Sequence, residues 1–168
     1  MRRRTLCYAG VATTVGLGGC LSRLTGGGSR EFRPAVESYN RGVDAFGRAQ
    51  SRRETARERY GAERWNAAAT AYAAARDGFD AAAAEFRRAR DATSGSCPAV
   101  HDRTQRQYRR SLALVEACDH WTTAATAHAT GDGDGADGEA ARARVWDGRA
   151  ADYPAAGRLD PDGFSCRE

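Results

Sequence analysis

Three cysteines in the body of the chain carry its most constrained chemistry, and they are Cys97, Cys118 and Cys166. In an oxidising compartment a disulfide is expected among them. Cys97 and Cys118 lie on one predicted helix, about 30 Å apart at 1.5 Å per residue, whereas bonded cysteines need Cα atoms within about 7 Å of each other. Any intrachain bridge among the three therefore includes Cys166. We predict Cys97, at a chain turn, as its partner, and Cys118, within an apolar helix face, is the alternative.

A metal site is a second interpretation of the same residues. Cys97 and His101 are four residues apart, which places a possible half-site for zinc on one helix face. Cys166 could add a third ligand, but His120 and His128 lie more than about 25 Å further along the same helix. Because the fourth ligand is missing, we predict no metal site and no cofactor.

The chain offers little for catalysis. Residues 131–138 alternate Gly and Asp like a calcium loop, but the twelfth position is Ala143 and not the required Glu. Cys118 and His120 point to helix faces about 200° apart at 100° per residue, so they cannot form a nucleophile and base pair. A serine motif, a pair of acid and base carboxylates and a phosphate loop are also missing from the sequence. We therefore predict that the protein is not an enzyme.

The formal charge of +4 overstates how basic the protein is, because all 26 basic residues are Arg and three of them stand before residue 20 with no acid. From residue 20 onward, 26 − 3 = 23 Arg face 22 acids, which gives +1. A near-neutral domain argues against nucleic-acid binding. Three arginines, Arg103, Arg106 and Arg110, share one predicted helix face, and Arg109 is nearby. This face is interpreted as solvated or, alternatively, as a contact for lipid headgroups or a polyanion.

The N-terminus has the organisation of a targeting segment. A positive start is followed by the apolar residues 6–12, which are too few for a membrane span of roughly 20 residues. The segment ends in an apolar residue, two small residues and a cysteine, namely Leu17, Gly18, Gly19 and Cys20.

That ending resembles a lipobox, the signal at which an exported lipoprotein is cleaved before a cysteine that then carries lipid. The start, with Arg3 and Arg4 before Thr5 and Leu6, resembles a twin-arginine export signal. The whole leader is similar to those of lipoproteins of halophilic archaea. The resemblance implies a signal peptide over residues 1–19, lipid on Cys20, and anchoring at the outer face of the cytoplasmic membrane.

The remaining chain divides into a tether and a helical domain. Residues 20–33 include a Gly-Gly-Gly-Ser run, which predicts a flexible tether. Apolar residues at helical spacing predict a first helix from Pro34, and the arginine-rich residues 50–59 are expected to be its exposed end. A break is predicted near Gly61, although one long helix through it is the alternative.

The strongest pattern in the domain is a seven-residue repeat. Large aromatic residues occupy one position, and an alanine follows each by three residues, which predicts a helix over residues 63–93 with a closely packed seam. The aromatic seam consists of Trp65, Tyr72, Phe79 and Phe86.

A second long helix is predicted over residues 97–129, and its similar length and the short turn between them favour an antiparallel hairpin. Its apolar face is expected to carry Val100, Tyr108, Leu112, Val115, Cys118 and Ala125, with Leu114 and Trp121 at the margin. Residues 131–138 are interpreted as a linker, residues 139–151 as a short helix, and the rest as an irregular tail.

The sequence therefore predicts an all-α antiparallel bundle of about four helices over residues 34–168. Trp65, Tyr72 and Ala81 also resemble part of one tetratricopeptide-like helix pair, although no second copy follows 34 residues later. The preferred function is a non-enzymatic interaction or scaffold module, joined to the membrane through Cys20 and to a protein partner that the sequence does not identify. The alternative is a metal- or ligand-binding lipoprotein associated with a transporter.

Overall fold

The part of the chain that the structure describes is a bundle of four α-helices. The structure, a computed structural model, describes the backbone of residues 28–161 and the side chains of residues 32–161. The helices are α1 (Gly28–Gly61), α2 (Trp65–Thr93), α3 (Pro98–Thr130) and α4 (Gly133–Ala151). The predicted all-α fold is confirmed, and so is the break at Gly61.

Each helix packs against the next one along the chain, and short loops make consecutive helices antiparallel. The segment after α4 is irregular, as predicted, but it is not loose. The carbonyl of Pro154 accepts a hydrogen bond from Gln107 of α3 at 3.0 Å. Further along, the backbone of Leu159 exchanges two hydrogen bonds of 2.8 Å with the side chain of Asn40 on α1. The tail therefore crosses the bundle from α4 past α3 to α1.

The aromatic seam of α2 lies at the centre of the core. Tyr72, Phe79 and Phe86 are fully buried, and so are the four alanines of the repeat, Ala68, Ala75, Ala82 and Ala89. Rings of α1 pack against the seam: Phe46 meets Phe79 edge-on at 5.2 Å and Tyr39 meets Phe86 at 5.4 Å between centroids. Trp65, the first seam residue, is half-buried and stacks on His128 at 4.2 Å.

Two glycines allow α1 and α2 to approach closely. A Cβ atom at Gly42 would lie 2.8 Å from two ring atoms of Phe86, and one at Gly78 would lie 2.9 Å from the Cβ of Ala49. Carbon atoms pack best at about 3.5–4.0 Å. A side chain at either position would therefore collide with the facing helix, which is why both positions require glycine.

The first helix begins earlier than predicted. It starts at Gly28 and contains Pro34 in its interior, so residues 28–33 are not part of a flexible tether. The reason is that Phe32 is buried against Cys97 and Val100 at the start of α3. Burial of one aromatic side chain contributes about 1.5–3 kcal/mol, which favours the ordered turn together with its helical hydrogen bonds. The predicted leader and Cys20 lie outside the described residues.

The predicted linker over residues 131–138 is also wrong, because α4 begins at Gly133 and not at residue 139. Gly131 ends α3 in the left-handed conformation with φ of 83°. Asp132 then caps α4 by accepting a hydrogen bond of 2.9 Å from the backbone N–H of Gly135. Gly131 and Asp132 are therefore the two residues that separate α3 from α4.

The buried face of α3 is wider than predicted. Leu114 and Trp121, placed at the margin, are buried, whereas Leu112 is 38% exposed. The reason is that α3 packs against both α2 and α4, so its buried arc covers two directions. In the described part of the chain, none of the four helices has the length and apolar character needed to cross a membrane.

Candidate functional site

A buried arginine forms the centre of the candidate site. The side chain of Arg53 is only 8% exposed, although the sequence predicted an exposed helix end here. Its Nη2 donates to Oδ1 of Asp147 on α4, and its Nη1 donates to Gln50 at 3.5 Å. A buried guanidinium requires such a partner because desolvating an unpaired charge is very costly.

Asp147 accepts hydrogen bonds from three donors on two other helices. Besides Arg53, its carboxylate accepts from Arg57 Nη2 of α1 at 3.1 Å and from the indole N–H of Trp121 of α3 at 3.2 Å. This carboxylate therefore links α1, α3 and α4.

A third guanidinium lies nearby without an acid of its own. Arg110 of α3 donates to the carbonyl of Pro154 at 3.1 Å and stands over the ring of Phe46, 5.0 Å from its centroid. Burial, and after it the positive charge of Arg53, lower the pKa of Arg110. We call Arg53, Arg57 and Arg110 together with Asp147 the arginine cluster. It carries three positive charges and one negative charge.

A cavity of about 210 Å³ opens at the arginine cluster, between α1, α3 and α4. All four members of the cluster line it, beside Gln50, Leu114 and two alanines of α4. The Nε atoms of Arg53 and Arg110 are buried and have no hydrogen-bond partner. Chemically, the cavity offers guanidinium donors and a net positive charge, which suit the binding of an anion.

The Cys118 thiol and the Tyr72 hydroxyl are not in the ionised forms that nucleophilic chemistry requires. Burial raises the pKa of the Cys118 thiol to about 12, so it stays protonated at neutral pH. Burial likewise raises the pKa of the Tyr72 hydroxyl. Because the thiolate is the reactive form of cysteine, the protonated Cys118 thiol is unreactive, and the side chain serves to fill the core.

The two candidate partners of Cys166, Cys97 and Cys118, lie in different environments. Cys118 is a free thiol buried in the main core, whereas Cys97 is buried at the start of α3 and is not a free thiol. Cys166 lies outside the described residues, so its pairing stays a prediction. His101, the proposed companion of Cys97 in a zinc half-site, places Nδ1 3.3 Å from the carbonyl oxygen of Arg90. Among the described side chains, no group of three His, Cys, Asp or Glu could hold a metal ion.

The arginines expected to share one solvated face of α3 are divided by the fold. Arg103 donates to the Tyr39 hydroxyl and to the carbonyl of Gly157, both at 3.0 Å. Arg110 belongs to the arginine cluster, while Arg106 and Arg109 are exposed. The predicted solvated face is therefore wrong as a unit, because Arg103 and Arg110 contact the tail and the core of the bundle.

A second concave feature is a groove of about 460 Å³ between α3 and α4. Leu112, Trp146 and Tyr153 supply its apolar surface, and charged residues, including Glu116 and Arg149, stand around them. The guanidinium of Arg149 covers the Trp146 ring at 4.2 Å. Aromatic side chains within a polar rim are typical of protein interaction surfaces.

Sequence reasoning missed Arg53 and Asp147. A signal for Arg53 was present, because it stands seven residues after the core residue Phe46, on the same helix face. Comparison of the chain with protein families, curated proteins and solved structures finds no match.

Proposed function

We propose that this chain is a lipid-anchored protein at the outer face of the cytoplasmic membrane, and that its helical bundle binds a partner protein without catalysing a reaction. The anchoring rests on the sequence from Leu17 to Cys20, which resembles a lipobox. A helix that could span a membrane is missing from the described residues, and an attached lipid would supply the membrane contact.

The observation that carries the binding role is the groove between α3 and α4. Its apolar centre includes Leu112, which is 38% exposed although large apolar side chains are mostly buried in this bundle. Trp146 and Tyr153 are residue types enriched among the energetic anchors of interfaces. The groove therefore offers an apolar, aromatic centre that a partner side chain can fill.

Replacing Cys20 by Ser tests the anchor. The lipid attaches through the cysteine thiol, so the variant should leave the membrane fraction or remain unprocessed. Fractionation and mass measurement of the intact protein provide the readout. A Cys20→Ser protein that stays on the membrane at the mass of the mature wild type would contradict the lipid anchor.

Chemical cross-linking in native membranes tests the binding role. Leu112→Glu places a charge in the groove, and Val145→Glu is its matched control because Val145 is 57% exposed and lies outside the groove lining. We expect one cross-linked species in the wild type and in Val145→Glu, and its loss in Leu112→Glu. If the three proteins give the same species, or none, the groove is not the binding surface.

We also propose that a Cys97–Cys166 disulfide fastens the tail to the bundle. Leu159 already packs against the small cluster of Phe32, Cys97 and Val100. The seven residues from Leu159 to Cys166 can span up to about 23 Å at 3.3 Å each, which is enough for the sulfur atoms to meet. Peptide mapping without reduction should recover the Cys97–Cys166 peptide. Recovery of Cys166 as a free thiol would contradict this pairing.

The alternative function, a ligand-binding lipoprotein associated with a transporter, is favoured by a different observation. The arginine cluster surrounds a cavity with guanidinium groups, and a cavity lined by convergent charged donors is typical of ligand sites. The groove and this cavity involve different faces of α4, so the two functions can be tested separately.

A further inference from the structure

The arginine cluster is not electrically balanced by the residues around it. Arg53 and Arg57 share the carboxylate of Asp147, and Arg110 donates only to a backbone carbonyl. Across the described residues, no other carboxylate contacts these three guanidinium groups. Arg53, the buried member, has its carboxylate partner, whereas Arg57 and Arg110 are partly exposed at the cavity. The net charge of +2 therefore lies where an anion from solvent can reach it.

Two donors in the cluster remain unused. The Nε atoms of Arg53 and Arg110 are buried and make no hydrogen bond, while the Arg53 side chain is more than nine-tenths buried. Buried polar atoms without partners are uncommon, and each has a desolvation cost of about 1–3 kcal/mol. Both residues line the same cavity, from two different helices.

We propose that the cavity between α1, α3 and α4 binds a small oxyanion of the phosphate class. The planar guanidinium group matches such anions because its N–H groups form parallel hydrogen bonds with two oxygens. At about 210 Å³, the cavity is smaller than the roughly 300–1,000 Å³ of sites for drug-sized ligands. The size favours a free ion or a single headgroup phosphate over a larger molecule.

Arg57 is the exposed arginine of the cluster, so an anion from solvent would contact it first. Its side chain is 50% exposed, whereas the side chain of Arg53 stands deep in the cavity wall. Because the Nε atoms of Arg53 and Arg110 are shielded from solvent, binding requires these side chains to turn towards the anion. The flexible stems of arginine permit this motion without movement of the helix backbones.

The same chemistry could come from two sources, inorganic phosphate or the phosphate of an anionic lipid in the adjacent membrane. Purified full chain in non-ionic detergent serves to test both. Isothermal titration with inorganic phosphate, at constant ionic strength in a chloride background, addresses the free ion. Titration of the same detergent-solubilised protein with mixed micelles that contain phosphatidic acid, compared with mixed micelles that contain phosphatidylcholine, addresses the headgroup. Neither assay needs a protein partner, so their failure and that of the proposed binding role are distinguishable.

Arg57→Gln is the test variant, because its half-exposed side chain can be replaced without unfolding the core. Arg48→Gln is the matched control, an exposed arginine of the same helix that does not line the cavity. We expect one saturable phosphate site in wild type and in Arg48→Gln, weakened at least about tenfold in Arg57→Gln through loss of a charge-assisted hydrogen bond.

Each result has a defined meaning for the proposal. Saturable binding of inorganic phosphate that Arg57→Gln weakens supports the site and identifies a soluble ion as sufficient. Binding only to the micelles that contain phosphatidic acid, lost in Arg57→Gln and kept in Arg48→Gln, supports the site with a lipid headgroup as its ligand. Binding in neither assay, or equal binding by the two variants, would overturn the proposal. Thermal unfolding of both variants without phosphate checks that they fold alike.

Discussion

Replacing two glycines of α1 by alanine should have opposite effects on stability. Gly42 and Gly47 lie five residues apart on the same helix, and an added methyl group favours helix formation by about 1 kcal/mol at either position. At Gly47 a Cβ atom meets nothing within 4 Å, whereas at Gly42 it would lie 2.8 Å from the ring of Phe86. The two substitutions therefore differ only in what the methyl group contacts.

The expected magnitudes follow from these contacts. Gly47→Ala should raise the free energy of unfolding by about 1 kcal/mol. In Gly42→Ala the ring of Phe86 must move, although it is fully buried and packed on Tyr39. Overpacking of this kind costs about 1–3 kcal/mol. The gain of about 1 kcal/mol in helix propensity offsets part of this cost, so Gly42→Ala should lower the free energy of unfolding by about 0–2 kcal/mol.

Urea denaturation followed by far-ultraviolet circular dichroism measures both variants against wild type. A third and a fourth protein complete the test: Phe86→Leu alone and Phe86→Leu combined with Gly42→Ala. Removing the ring should abolish the penalty, so Gly42→Ala becomes neutral or stabilising in the Phe86→Leu background. If Gly42→Ala is as stable as Gly47→Ala, or if its penalty survives without the ring, the close approach of α1 and α2 at this point is wrong.

Two further predictions concern the core. Phe79→Ala should lower the free energy of unfolding by about 3–5 kcal/mol, the range for a buried Phe, because Phe79 is fully buried against Phe46. Chemical denaturation measures this loss. A variant as stable as wild type would contradict the central position of the aromatic seam. Burial raises the pKa of Cys118 to about 12, above the value of about 8.5 for a free cysteine. The folded protein therefore keeps this thiol protonated where the unfolded chain would lose the proton. The stability that the buried, neutral thiol contributes is complete below about pH 8.5 and declines as the pH rises towards 12. Stability should consequently fall less between about pH 8 and pH 10 in Cys118→Ala than in wild type, and equal declines would refute this.

The sequence was sufficient to predict the core of the fold because one physical signal dominates it. Large aromatic residues repeat every seven positions from Trp65 to Phe86, and burial of apolar area is the main favourable term in folding. The hairpin of α2 and α3 was predicted from the similar lengths of the two helices and the short turn between them. The start of α1 could not be predicted in this way, since one isolated aromatic residue, Phe32, decides it through a contact with the distant α3.

The candidate site could not be predicted because its members are brought together only by tertiary packing. Arg53 and Asp147 are separated by 94 positions in the chain. An arginine-rich segment is ordinarily exposed, and only the partner carboxylate makes the burial of Arg53 favourable. The helical position of Arg53, seven residues after Phe46, was the sole local indication of its burial.

The arrangement of α4 explains why the fold and the candidate site are linked. Its buried residues are alanines, namely Ala136, Ala140, Ala143 and Ala150. These four alanines share one face of α4, so their burial selects the face that meets α3. Methyl groups bury little area, however, and tolerate a small rotation of the helix about its axis. Hydrogen bonds are directional, and Asp147 accepts three of them, from Arg53, Arg57 and Trp121. A rotation of α4 that preserved the alanine contacts would break these bonds and leave Arg53 buried without its partner. The polar contacts therefore fix the rotation of α4, and through it the shape of the cavity that the same arginines line.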